Sequence, residues 1–184
     1  MDMALAIPHY TIRDLDSFPD DGHRYELLDG WLLVTPAPAP GHQIVVSRLA
    51  TALSIHVREC GARVYTPGSV EIEPKVHLEP DILVVPASEP IAKRWSEIRV
   101  WWLAVEVSGR GSQVYDRDFK YGAYSALGVR DVWRVDLRDR CVVVRTGAGA
   151  ETTHEDRFEW HPAEIECPLA VDVQSLFDEV QGDS

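Results

Sequence analysis

Hydrophobic positions along the chain follow two different periods. Two short apolar-rich runs, Arg24 to Leu28 and Trp31 to Thr35, flank Asp29-Gly30, the strongest short-range signal for a β-hairpin. From Gly41 to Glu59 the period lengthens. At ~100° per residue, Val45, Val46, Leu49, Ala50, Leu53 and Val57 share one arc, which predicts a helix stopped near Gly61. Thr11 is placed to cap a short helix ending near Pro19, and Pro36 to Pro40 reads as a loop. Strands are expected at Arg63 to Tyr65, Ser69 to Glu73 and Asp81 to Val85, the last being β-branched and apolar after its first residue. Val100 to Val107 is apolar at almost every position until Glu106, the pattern of a strand buried on both faces. A second helix, Arg117 to Leu127, ends at Gly128. Asp131 to Asp136 and Cys141 to Thr146 then form a late hairpin, and Ser175 to Val180 a short helix.

No repeat, low-complexity tract or linker interrupts the 184 residues, so the chain reads as one domain, 1–184. Its motif-bearing core runs from about 24 to 146, and an acidic C-terminal segment from 151 to 184. With 45% hydrophobic residues and 6 Trp it can bury a core and is not disordered. No apolar run approaches the ~18 residues of a membrane helix. Met1 to Ile7 lacks a basic residue ahead of its apolar part and makes a poor signal peptide. Cys60, Cys141 and Cys167 form neither a disulfide framework nor a zinc site, so a reducing cytoplasm is the expected location.

The formal net charge of −12 argues against a basic nucleic-acid module. It is unevenly spread: from Glu151 onward there are 10 acids against Arg157 alone, whereas residues 1–150 carry 20 acids and 17 bases. Any polyanion contact must therefore be local.

Three residues carry the candidate chemistry. Asp81, after Pro80, opens a strand, where a metal or substrate can reach it; the alternative is an acid that ends a turn. Glu106 ends the most apolar strand, and a buried carboxylate there needs a metal ion or a cationic side chain to neutralise it. Alternatively, it marks where the strand surfaces. Lys120 is one of only 3 Lys against 15 Arg. On a helical wheel it falls just inside the apolar arc of Phe119, Ala123, Ala126 and Leu127, so it points at whatever the helix packs on. A snorkelling lysine, or one paired with Asp116 at i, i+4, is the alternative. Two carboxylates on neighbouring strand ends with one inward cation make a hard-metal site.

Pro80-Asp81 followed by Glu106-Val107-Ser108 resembles the PD-(D/E)XK nuclease signature with its final lysine missing. Ser108 stands in that lysine's place, and Lys120 looks like a migrated substitute. The wider pattern, in order, is Tyr25-Glu26-Leu27-Leu28-Asp29-Gly30, His42-Gln43, Pro80 to Val85, Val105 to Ser108, Asp116 to Lys120, Tyr124 and Gly128 to Trp133. It resembles the Uma-type restriction endonuclease family of that superfamily over Tyr25 to Asp136. The resemblance implies an α/β (α+β) restriction-endonuclease-like core, a mixed central sheet flanked by helices with an N-terminal β-hairpin. It implies Mg²⁺-dependent endonuclease activity on phosphodiester bonds, with Mn²⁺ as a substitute and DNA as partner. Asp81, Glu106 and Lys120 would be catalytic; Asp81, Glu106 and Val107 would be the metal positions; Glu26, His42, Ser108, Asp116 and Tyr124 would support them. One departure is the turn after Ser108, Gly109-Arg110-Gly111, where the family has a proline.

A competing function is a catalytically inactive member of the same fold, binding or dimerising, which the charge favours. A hydrolase of smaller phosphoesters is a third. A sheet edge and the late hairpin are candidate homodimer surfaces. His56, Trp101 and Trp102 read as structural.

Overall fold

In the computed structural model the described residues are 9–109, 114–147, 149–178 and 180, with backbone alone for 114–119. The elements run α1 (Ile12–Leu15), β1 (Arg24–Leu28), β2 (Trp31–Thr35), α2 (Pro40–Val57), β3 (Arg63–Tyr65), β4 (Val70–Ile72), β5 (Val76–Leu78) and β6 (Ile82–Val85). They continue with β7 (Leu103–Ser108), α3 (Val114–Ala126), β8 (Asp131–Asp136), β9 (Cys141–Thr146), β10 (Glu151–His154), β11 (Arg157–Trp160), β12 (Leu169–Asp172) and α4 (Val173–Leu176).

A six-stranded sheet in the order β10-β9-β8-β7-β6-β3 forms the centre. Its β7–β8 pair is parallel and the other pairs are antiparallel. Parallel neighbours need a crossover, and α3 supplies it. Because side chains alternate across a strand, the sheet has two apolar faces. Ile82, Val84, Leu103, Val105 and Val107 pack with α2, with Phe158 and Trp160 of β11, and with α4. Leu83, Val85 and Ala104 pack on the other face with Tyr121 and Tyr124 of α3 and with a four-stranded sheet, β2-β1-β5-β4. The mixed sheet flanked by helices, with an N-terminal hairpin, agrees with the sequence reading.

The hairpin turn has the expected chemistry. Asp29 and Gly30 both have positive φ, 52° and 83°, and Leu28 pairs with Trp31, so the loop is a two-residue I′ turn. At Gly68 the chain passes against β6: a Cβ there would lie 2.3 Å from Leu83 Cβ, which only glycine avoids.

Several boundaries differ from expectation. α3 begins at Val114 rather than Arg117, and β7 begins at Leu103 because Val100 to Trp102 lead into the strand outside its ladder. The last helix lies at Val173–Leu176, earlier than Ser175 to Val180. Strands β5, β10, β11 and β12 were not expected. Trp160 and Phe158 seal the α2 face, and Trp160 Nε1 donates to Asp131 Oδ2 at 2.9 Å, tying this ribbon to the start of β8.

Candidate active site

Strands β6 and β7 are antiparallel, with Ile82 opposite Val105. One step further along that ladder stand Asp81 and Glu106, side by side at the same end of the pair. Asp81 was expected at an exposed strand edge. The structure corrects this: Asp81 is 4% exposed, because groups from two distant elements close over it.

Each oxygen of Asp81 is held. Oδ2 accepts from the Val107 N–H at 2.8 Å and from His42 Nε2, at the start of α2, at 2.9 Å. Oδ1 accepts from both terminal nitrogens of Arg24, each at 3.2 Å. Burial pushes the Asp81 carboxyl up. The His42 hydrogen bond, the charges of His42 and Arg24 and the Val107 N–H outweigh it, and the net effect holds the carboxyl below its ordinary value.

Glu106 faces α3. Its Oε1 accepts from the Tyr124 hydroxyl at 2.6 Å and from Lys120 Nζ at 3.2 Å. Among the described residues Oε2 has no hydrogen-bond partner. Burial pushes this carboxyl up, and the neighbouring Asp81 and Glu26 add to the rise; against the pull of Lys120 and Tyr124 it reaches about 7. Lys120 points inward, as its helical phase predicts, and bridges Glu106 to Glu26 Oε2 at 2.7 Å. The two carboxylates outweigh burial and raise the Lys120 ammonium above its ordinary value, so it stays charged. Glu26, in β1, is 0% exposed, and its Oε1 accepts from the Glu79 N–H at 2.7 Å.

The structure thus brings together Glu26, His42, Asp81, Glu106, Lys120 and Tyr124. Val107 joins them through its N–H on Asp81. Ser108 shares the Glu106 side of β7 but turns its hydroxyl to the Val135 carbonyl, at 3.4 Å. The Asp116 side chain and the turn residues Arg110 and Gly111 lie outside the described residues.

Arg24 was missed. Its signal was its place two residues before Glu26 in a strand, which puts both on one face. Glu79 and His77 were also missed. Glu79 lies 3.6 Å from Arg24 Nε through Oε2 and 3.3 Å from His77 Nε2 through Oε1. His77 Nδ1 in turn meets Glu71 Oε1 at 3.0 Å. A cleft of about 430 Å³ opens beside Asp81 and Arg24 and runs along α2 past Ser47, Thr51 and Ser54 to Pro67.

Three carboxylates, Glu26, Asp81 and Glu106, share two permanent cations, Arg24 and Lys120. Among the described residues, no three His, Cys, Asp or Glu side chains gather closely enough to hold a metal ion unaided.

A solved structure from Anabaena variabilis, described as a putative nuclease belonging to DUF820, superposes with a TM-score of 0.76 at 16% identity. The alignment covers 91% of this chain and 97% of that one, so the two share a fold. No curated protein matches the chain. A family model, Uma2, described as "Putative restriction endonuclease", matches residues 12–174, a span that includes every residue of the cluster. The chain belongs to the Uma2 family.

Proposed function

We propose that this protein is a divalent-metal-dependent endonuclease that hydrolyses phosphodiester bonds in DNA, with Asp81 and Glu106 as its metal-binding carboxylates. The observation that carries this reading is the pairing of Asp81 and Glu106 on adjacent strand ends, with Lys120 delivered onto Glu106 by the crossover helix. The donor set suits Mg²⁺ or Mn²⁺, which take one or two carboxylates and complete their shells with waters and phosphate oxygens. Among the described residues Glu106 Oε2 has no hydrogen-bond partner, and a cation beside it would offset burial and the Asp81 and Glu26 charges, which together push the Glu106 carboxyl up. When bound, the ion would supply Lewis-acid activation of water and charge stabilisation on the phosphate.

The chain's own side chains prepare the site. The Val107 N–H and His42 fix Asp81, and Tyr124 and Lys120 fix Glu106, so the carboxylates meet their ion without reorganising. Lys120 is held charged between two carboxylates, which suits it to orient Glu106 and offset its charge and makes it a poor proton acceptor. DNA is the preferred substrate class from the family's description.

The test is cleavage of mixed DNA and RNA substrates with Mg²⁺ and with Mn²⁺, beside Glu106→Ala. Metal-dependent cutting of DNA that Glu106→Ala abolishes is expected. A second reading, a non-catalytic binding or dimerising module, is favoured by the −12 charge. It would prevail if wild type and Glu106→Ala were equally inert on every substrate.

A further inference from the structure

The proposed metal ion and Arg24 make competing demands on Asp81. Oδ2 already accepts two hydrogen bonds, from Val107 and His42. Oδ1 is the oxygen left for a metal, and the Arg24 guanidinium holds it with two nitrogens at 3.2 Å. A divalent ion and a guanidinium cannot share one oxygen closely, because like charges at that range repel strongly.

Arg24 is built to survive displacement. Its Nη1 also donates to the Glu79 carbonyl at 3.0 Å, and the Glu79 carboxylate lies 3.6 Å from its Nε. Glu79 is fixed from behind by His77, which Glu71 fixes in turn. A guanidinium driven off Asp81 therefore remains tethered at the mouth of the cleft. It is also the cation with access. Among the described residues Arg24 is the only Lys or Arg lining the cleft, and its side chain is 21% exposed. Lys120, at 7%, is enclosed between Glu26 and Glu106 and cannot reach a ligand there.

Resting on the metal-dependent reading above, we propose that Arg24 and the divalent ion are alternative occupants of Asp81 Oδ1. The displaced guanidinium is then the catalytic residue that binds the scissile phosphate. Before the ion arrives, Arg24 serves as its stand-in and keeps a buried carboxylate paired. Afterward its planar fork meets a phosphodiester, the geometry for which arginine is suited.

This predicts opposite signs for two measurements on the full chain. Arg24→Met removes the competing charge while keeping the stem. By calorimetry it should bind Mn²⁺ at least ~10-fold more tightly than wild type, because the ion no longer displaces a bound cation. Its DNA cleavage should nonetheless fall by at least ~10²-fold, the scale of losing one electrostatic contact to a reacting group. Arg24→Gln, which also removes the charge but keeps a polar end, should show the same pair of effects and serves if the Met variant fails to fold. Unchanged or weaker Mn²⁺ binding in both variants, with Asp81→Asn abolishing it, would overturn the competition and leave the metal site standing. Tighter Mn²⁺ binding with undiminished cleavage would overturn the phosphate-binding role. If no variant and no wild-type protein bound Mn²⁺, both this inference and the metal-dependent reading would fall.

Discussion

Replacing Lys120 with methionine separates structural from chemical roles most sharply. Methionine keeps most of the stem volume and removes only the charge. The ammonium lies 2.7 Å from Glu26 Oε2 and 3.2 Å from Glu106 Oε1. Glu26 is fully buried, so without Lys120 its charge is left with the Glu79 N–H on Oε1. Breaking a buried ion pair on one side destabilises by about 3–5 kcal/mol, a large part of a domain's 5–15 kcal/mol. Losing the cation also pushes the Glu106 carboxyl further up, since the Lys120 charge was pulling it down. A carboxyl raised in the folded state is penalised above its folded pKa and not penalised below its unfolded one. The deficit should therefore be larger at pH 8 than at pH 5, shrinking as the pH falls. Urea unfolding of wild type and Lys120→Met at these two pH values reads it directly. The double variant Glu26→Gln with Lys120→Met should recover at least half of the loss, since it removes the stranded charge. A loss below about 1 kcal/mol at pH 8, or one independent of pH, would refute the buried-bridge account. Only with folding verified in this way does a fall in cleavage by Lys120→Met speak to catalysis, where at least ~10²-fold is expected.

Two further outcomes follow from the surrounding scaffold. Burial alone would lower the His77 imidazole, but hydrogen bonds and charges from Glu71 and Glu79 raise it to about 9. Its stabilisation is therefore fully present below the unfolded value near 6.5 and lost as pH rises through 9; His77→Gln should weaken the fold by about 1.5–3 kcal/mol at pH 6 and little at pH 10 in urea titrations. Gly68→Ala places a Cβ 2.3 Å from Leu83 Cβ and should lower stability by about 1–3 kcal/mol, seen as a reduced Tm; an unchanged Tm would show that β6 yields at this point.

Much of the site was legible because its signals are local. The helical phase of Lys120 follows from 3.6-residue periodicity, and the oddity of Glu106 from an apolar strand that ends in a charge. Asp29-Gly30 announced its turn through the need for two positive φ angles. What escaped was mostly non-local or short. The burial of Asp81 is imposed by Arg24 and His42, 57 and 39 residues away in sequence. β5, Val-His-Leu, has three residues and too little pattern to distinguish it from a turn. β10 is exposed along most of its length and carries no apolar alternation, so its pairing with β9 comes from an available sheet edge rather than from its own composition.

The crossover that makes β7 and β8 parallel also sets an order of events in folding. Glu106 sits on the strand that pairs with β6, whereas its partners Lys120 and Tyr124 come from α3, which packs on both β7 and β8. Glu26 waits on the same helix while belonging to a strand near the other end of the chain. Contacts so distant in sequence close late, because loop closure must precede their reward. A half-folded chain lacking α3 would therefore hold Glu26 and Glu106 without Lys120, and repulsion between them would keep the site open. Under the nuclease reading proposed above, cutting would require this docking step, and a partly made copy would be harmless to nucleic acid.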